Sequence, residues 1–155
     1  MVRREYRLGD RRVWRAGATS MRCLAVAAVF LIGALPAIAQ GSAQYRACND
    51  KAKSQDDMNA CASEEAARVD AELKVVYSKL LLKAAIQPEA VAKIKASERA
   101  WIAYRDAYME AMYPAKDKQA EYGSVYPMEA DRLKAELTRQ HVASVEAMLR
   151  KYDDR

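Results

Sequence analysis

His141 is the single histidine of the 155-residue chain, and histidine is the residue type most often used for acid–base or metal chemistry. One histidine cannot supply the ligand set of a usual zinc site. His141 also lies four residues after Leu137 and four before Val145, on or beside an apolar helical stripe. We therefore expect a structural histidine at the edge of the core rather than a catalytic base or a metal ligand.

Paired carboxylates are the next candidates for chemistry, at Asp56-Asp57, Glu64-Glu65 and Asp153-Asp154. Acid–base pairs in glycosidases need two carboxyl groups that face each other across a cleft. These pairs are sequence neighbours on helix turns or at the terminus, which indicates a solvated surface. The sequence also contains no glycine-rich phosphate loop and no Ser-His-Asp pattern. We predict no catalytic residues, no cofactor and no enzyme activity.

Residues 1–39 have the pattern of an N-terminal extension followed by a cleavable signal peptide. Arg22 precedes an apolar run over residues 24–35, Pro36 breaks it, and the small residues Ala37 and Ala39 form an A-x-A cleavage site. The run is shorter than the about 20 residues that span a membrane. We predict a periplasmic or secreted protein with no stable membrane anchor after cleavage. An uncleaved membrane helix stays open, as does a start at Met21 instead of Met1.

The net charge and the number of cysteines differ between the whole chain and the part that follows this leader. Residues 1–39 hold seven basic and two acidic side chains, so residues 40–155 carry 19 of each and have no net charge. The basic surface that nucleic-acid binding requires is therefore absent. Two cysteines remain, Cys48 and Cys61. In an exported chain they predict one disulfide, which would stabilise the fold by about 3 kcal/mol; two free thiols are the alternative.

Helical periodicity runs through residues 40–155, with no alternating strand pattern. We predict a single all-α domain, a small antiparallel three-helix bundle with a short N-terminal helix tethered by the disulfide. The predicted helices cover about 43–53, the segment from a Ser54 cap to Gln87, the segment from Pro88 to Pro114, and about 125–151, with a polar loop over 114–124. The predicted buried stripes are Met58, Ala62, Val69, Leu73, Val76, Leu80 and Ala84; then Ile94, Ser97, Trp101, Tyr104, Tyr108 and Met112; then Leu133, Leu137, Val145 and Leu149.

Tyrosines crowd around the predicted loop, with Tyr113, Tyr122 and Tyr126 on either side of Gly123. Tyrosine is common both in cores with a wet edge and in binding surfaces. For Tyr122 and Tyr126 both interpretations stay open, and Tyr122, Gly123 and Tyr126 are our candidate partner-binding residues. For Trp101, in the middle of the third helix, we favour the core.

Five motifs follow one another in the order of a known family. They are Met58-Asn59-Ala60-Cys61; Asp70-Ala71-Glu72-Leu73 with Tyr77; Glu98-Arg99-Ala100-Trp101 with Tyr104-Arg105-Asp106-Ala107; Gly123-Ser124 with Pro127; and Leu137-Thr138. Together they resemble the lysozyme inhibitor LprI-like N-terminal domain family of small exported helical domains. The chain departs from that pattern at Met109 and Leu133, where the family usually has a second cysteine pair.

The resemblance implies a non-enzymatic protein-binding domain whose partner is a lysozyme-type hydrolase. A structural or stress-related envelope domain without lysozyme activity is the alternative. The resemblance supplies no catalytic residues, and we expect its motif residues to be structural: Asp70, Leu73, Tyr77, Trp101, Arg105, Asp106, Leu137 and Thr138. For Arg105 we expect an ion pair with Asp70 or Asp106 rather than a ligand.

Overall fold

The computed structural model describes residues 41–154, and every described element is helical. The predicted leader lies outside these residues. Helix α1 covers Ala43–Asn49, α2 covers Gln55–Ala84, α3 covers Pro88–Met112, α4 covers Lys118–Tyr122, and α5 covers Tyr126–Asp153. A 3₁₀ turn at Gly123–Val125 joins α4 to α5. The predicted all-α bundle is confirmed. None of the described helices combines the length and the apolar character needed to cross a membrane.

Local signals in the sequence fix most of the helix ends. Ser54 caps α2, and Asp57 completes the capping box by accepting from the Ser54 backbone N–H. Pro88 opens α3, where its fixed φ suits the first turn and its missing N–H costs nothing. Helix α1 ends at Asn49, earlier than the predicted Lys53. The predicted loop over 114–124 is also partly wrong, because Asp117 caps the short helix α4 within it.

Helices α2 and α5 form the main interface of the bundle and run parallel to each other. Asp70 in the middle of α2 pairs with Lys134, and Lys83 near the end of α2 pairs with Asp153 near the end of α5. The intervening α3 runs the opposite way, which gives an up-down-up bundle. The buried residues of the main core are Ala66, Val69, Leu73, Val76, Leu80, Ala84, Ile94, Ala135, Val142 and Val145.

The predicted stripe of α2 is buried from Ala62 to Ala84, whereas the predicted Met58 is half-buried. The stripes of the other two long helices are shifted. On α5 the buried positions are Ala135, Thr138, Val142 and Val145, and the predicted Leu133, Leu137 and Leu149 are half-buried beside them. On α3 the inward face passes through Ile94, Glu98, Trp101, Arg105 and Met109. The other residues of the predicted stripe are exposed: Ser97, Tyr104, Tyr108 and Met112. The shift on α3 brings Glu98 to His141 of α5, a polar contact that hydrophobic periodicity does not count.

The disulfide between Cys48 and Cys61 ties α1 to the first turns of α2, as predicted. The two Cα atoms are 5.7 Å apart, within the usual range for a bridge. Cys61 packs with Tyr45 and Ala62 in a second small core, separate from the main one. The bridge therefore holds α1 against one end of the bundle, and the start of α5 lies at that same end.

Candidate functional site

Three tyrosine rings pack against one another at the α1 end of the bundle. Tyr113 follows α3, Tyr122 ends α4, and Tyr126 begins α5. The ring of Tyr113 lies edge-on to Tyr122 at 5.4 Å and to Tyr126 at 5.1 Å, and the Tyr122 and Tyr126 rings are 5.8 Å apart. Each ring is half-buried. We call these three residues the tyrosine cluster.

The tyrosine cluster is held in place by backbone contacts. The Tyr122 hydroxyl accepts a hydrogen bond from the Ala115 backbone N–H at 3.3 Å, which closes the loop between α3 and α4. Burial raises the pKa of Tyr113, and the nearby carboxylate of Glu129 raises it further. The hydroxyl of Tyr113 therefore stays protonated at neutral pH and is available as a hydrogen-bond donor.

Gly123 lies at the outer edge of this cluster. Its φ of +70° and ψ of −166° fall in a region that residues with a Cβ rarely adopt. No atom lies within 4 Å of the position that a Cβ would occupy, so the space beside it is open. Among the predicted partner-binding residues, the structure brings Tyr122, Gly123 and Tyr126 together on one exposed edge.

A cleft of about 570 Å³ extends from the tyrosine cluster along α5. Its apolar part is formed by Tyr45, Tyr113 and Leu133. Its charged rim contains Glu129 and Arg132, and the Arg132 guanidinium lies 5.7 Å from the centre of the Tyr45 ring. The cleft therefore combines an aromatic floor with a rim that carries both charges.

A buried carboxylate supports the floor of the cleft. The side chain of Glu65 is 3% exposed and accepts hydrogen bonds from the Ser42 backbone N–H at 3.0 Å and the Ser42 hydroxyl at 2.7 Å. Arg68 and Arg139 form ion pairs with it. Burial raises the pKa of Glu65, but the hydrogen bonds from Ser42 and Arg68 outweigh burial and hold it below its ordinary value. Glu65 is therefore ionised at neutral pH and joins α1, α2 and α5 through these contacts.

The position of Glu65 corrects the prediction that the Glu64-Glu65 pair is solvated, because Glu64 alone is exposed. The signal was present in the sequence. Glu65 lies three residues after Ala62 and four before Val69, which places it on the buried stripe of α2. A carboxylate on a buried stripe requires positive partners, and Arg68 is one helical turn away.

His141 belongs to a second cluster, between α3 and α5. Its ring stacks on Trp101 with centroids 3.9 Å apart and planes within 4°. Its Nε2 lies 2.8 Å from a carboxylate oxygen of Glu98. Arg105 lies 5.1 Å from the centre of the Trp101 ring and pairs with Asp106 at 2.8 Å. The geometry places His141 at the edge of the core, and sequence reasoning missed its Glu98 partner.

The remaining motif residues lie between α2 and α5 or beside α3. Asp70 accepts from the Thr138 hydroxyl at 3.4 Å and pairs with Lys134 at 3.0 Å. Burial raises the pKa of the neighbouring Asp131, with Lys134 opposing and Asp70 adding to the rise. Burial and the charge of Glu98 raise the pKa of Tyr77.

Within residues 41–154 no group of three or more His, Cys, Asp and Glu side chains is placed to hold a metal ion.

Comparison with known proteins gives the family. Residues 48–144 match the family described as Lysozyme inhibitor LprI, and the chain belongs to that family. An uncharacterized protein of Rhizobium meliloti (strain 1021) is 34% identical over 112 residues, which cover 64% of this chain and 76% of the relative. No solved structure matches the chain significantly. The resemblance predicted from the motifs is thereby confirmed.

Proposed function

We propose that the protein is a non-enzymatic, exported protein-binding domain whose partner is a lysozyme-type hydrolase. Membership of a family described by lysozyme inhibition is the observation that carries this proposal. The leader pattern of residues 1–39 supports export, with the mature domain starting near Gln40 in the periplasm or outside the cell.

We further propose that the tyrosine cluster and the adjoining cleft are the surface that contacts the partner. Tyrosine rings give a large contact area and lose little side-chain entropy on binding, and here their mutual packing has already fixed them. Gly123 leaves open space on the outer side, so a partner can approach the backbone closely.

Part of this surface is acidic and therefore suits a cationic partner. Glu121 and Glu129 are exposed near the cluster, and neither forms an ion pair with another residue of the described chain. Arg132 on the rim of the cleft supplies a positive group that can pair with a carboxylate of the partner. The mixture indicates recognition through specific pairs rather than through a uniform acidic face.

A lysis assay tests the proposal. The protein, purified after secretion from a bacterial host, is mixed with chicken-type and goose-type lysozymes while the clearing of a cell-wall suspension is followed. We expect at least one of the two rates to fall at micromolar concentrations of protein. If both rates are unchanged and no complex forms, the proposed partner class is wrong and the structural envelope role takes its place.

Two variants test the surface separately from the partner. Glu129→Lys reverses a charge beside the tyrosine cluster, and Glu146→Lys makes the same change about 25 Å farther along α5. Both side chains are exposed, so both variants should fold. Glu129 lies in the first turn of α5, so Glu129→Lys should lower the melting temperature slightly, whereas Glu146→Lys should leave it unchanged. We expect Glu129→Lys alone to weaken inhibition. If the two variants weaken inhibition equally, the contact surface does not lie at the tyrosine cluster.

A further inference from the structure

The outer side of α2 exposes three large aliphatic side chains, the last of them in the turn into α3. Val75 is 55% exposed, Leu82 77% and Ile86 87%. Leu82 and Ile86 are the two most exposed large apolar side chains of the residues that the structure describes. At this exposure the side chains project from the surface and do not line a groove. Single exposed apolar residues are ordinary, but three on one side of a helix form a patch.

The three aliphatic side chains lie along one line on α2. Val75 and Leu82 are seven residues apart, which is close to two helical turns. Ala85 keeps helical backbone angles (φ −56°, ψ −31°), so Ile86 continues the helical path four residues after Leu82. At about 100° per residue, the three positions fall within about 40° of one another, and the buried Leu80 lies about 140° away from their midpoint. The line therefore faces away from the core of the bundle.

Lysines lie on and beside this line. Lys79 is on the line itself, between the first and the second aliphatic side chain, and Lys74 is beside it. Both lysines are exposed, and neither forms an ion pair with another residue between 41 and 154. Lys83 is also beside the line, but it already pairs with Asp153 at 2.7 Å. Two free ammonium groups therefore accompany the aliphatic side chains.

The basic character extends through the two helical segments that meet at this turn. Residues 73–97 contain five lysines and no arginine, against Glu89 as the one acidic residue, an excess of four positive charges. Because residues 40–155 carry no net charge, the rest of that part has an equal negative excess. The positive excess is thus concentrated at the end of the bundle where Leu82 and Ile86 project, opposite the tyrosine cluster.

These features together match an anionic lipid surface. Lysine ammonium groups bind lipid phosphates at the level of the headgroups, and the lysine stems extend along apolar surface. Projecting aliphatic side chains enter the boundary between headgroups and acyl chains, which removes them from water. An acidic polymer would bind the lysines but leave Leu82 and Ile86 in water. A second copy of the chain on this side would bring lysines close to lysines.

We propose that the outer face of α2, formed by Val75, Lys79, Leu82 and Ile86 with Lys74 beside it, binds reversibly to membranes that contain anionic phospholipid. The tyrosine cluster and its cleft lie at the opposite end of the bundle, outside this contact. The membrane contact does not require a lysozyme-type partner, so the two proposals can fail separately.

Cosedimentation of the secreted, processed protein with lipid vesicles tests the membrane contact. We expect binding to phosphatidylcholine vesicles that contain about one-third phosphatidylglycerol, and about tenfold weaker binding to phosphatidylcholine alone. Raising the salt concentration from about 0.05 M to about 0.5 M should weaken the binding, because salt screens the attraction between lysine and phosphate.

Two double variants separate the aliphatic part of the face from its charged part. Leu82→Ser combined with Ile86→Ser should weaken binding to the anionic vesicles about tenfold, and so should Lys74→Gln combined with Lys79→Gln. All four side chains are exposed, so both double variants should fold like the wild type, which circular dichroism checks.

Matched controls are Ile102→Ser, and Lys51→Gln combined with Lys53→Gln, at exposed positions outside this face. Both controls should bind like the wild type. The proposal is overturned if the wild type does not sediment with the anionic vesicles at about 5 mM lipid, or binds neutral vesicles equally well. It is also overturned if the serine double variant binds like the wild type, because the contact would then be electrostatic alone. A dimer in the absence of vesicles that the serine substitutions dissociate would overturn it too, by placing a second copy on the face.

Discussion

Replacing Glu65 by glutamine tests whether the buried carboxylate holds the tyrosine end of the bundle together. Glutamine keeps the size of the side chain but removes the charge and puts an N–H₂ donor where Arg68 and Arg139 now donate. Removing one partner of a buried ion pair typically costs 3–5 kcal/mol. The side chains of Arg68 and Arg139 are 40% and 27% exposed, so their charges regain water and we expect a loss of about 2–3 kcal/mol.

The measurement is urea unfolding followed by circular dichroism at several pH values. Since the pKa of Glu65 is lowered in the folded protein, the wild type gains stability from this group above the unfolded value near 4.5. That gain disappears as the pH falls through the lower folded pKa. The difference between the wild type and Glu65→Gln should therefore be full at pH 7 and shrink in acid.

Glu64→Gln is the matched control for this substitution, because the adjacent side chain is exposed and makes none of these contacts. It should change the free energy of unfolding by less than about 0.5 kcal/mol. A loss below that value for Glu65→Gln, or a loss that persists unchanged in acid, would refute the assignment of Glu65 as an ionised anchor.

Four further results are expected. Replacing Cys48 and Cys61 together by serine should lower stability by about 3 kcal/mol in urea unfolding, whereas an unchanged midpoint would mean that the bridge adds nothing. Gly123→Ala should cost about 1–3 kcal/mol for backbone conformation alone, since no atom obstructs the added Cβ; a loss near zero would contradict the positive φ. Asp131→Asn should raise the melting temperature at pH 7, because burial raises the pKa of Asp131 and so makes its ionised form unfavourable in the folded protein. The difference from the wild type should vanish at acidic pH, where the wild-type carboxyl is protonated. Arg105→Ala should lower stability by about 0.5–1 kcal/mol through its lost contact with Trp101 and leave inhibition intact, whereas unchanged melting with lost inhibition would assign Arg105 to the partner.

Much of the fold follows from local rules that act along the chain. The Ser54–Asp57 capping box, Pro88 at a helix start and the apolar stripe of α2 each satisfy a requirement within one or two helical turns. Such requirements are readable in the sequence because helix geometry fixes which residues are neighbours. The disulfide could also be predicted, since the two cysteines of residues 40–155 allow one intramolecular pairing.

The inward face of α3 was harder to predict from the sequence because it includes polar side chains. Hydrophobic periodicity favoured Tyr104 and Ser97, whereas the structure turns Glu98 and Arg105 inward, toward His141 and Trp101. The contact between Glu98 and His141 joins residues of different helices. A periodicity argument counts apolar residues within one helix and cannot detect a carboxylate whose partner is 43 residues away.

The tyrosine cluster could be predicted only in part from the sequence. The crowding of tyrosines around Gly123 is visible in the sequence. The packing of Tyr113, Tyr122 and Tyr126, however, depends on the short helix α4, which lies within the predicted loop. The cleft beside the cluster depends on α1, α3 and α5 together and has no local signature.

Titration calorimetry of the secreted protein against purified chicken-type and goose-type lysozymes tests the central proposal most directly. We predict saturable binding to at least one enzyme, weakened by Glu129→Lys and unchanged by Glu146→Lys. The absence of binding to both enzymes at concentrations that saturate a micromolar site, with a correctly folded protein, would contradict the proposal.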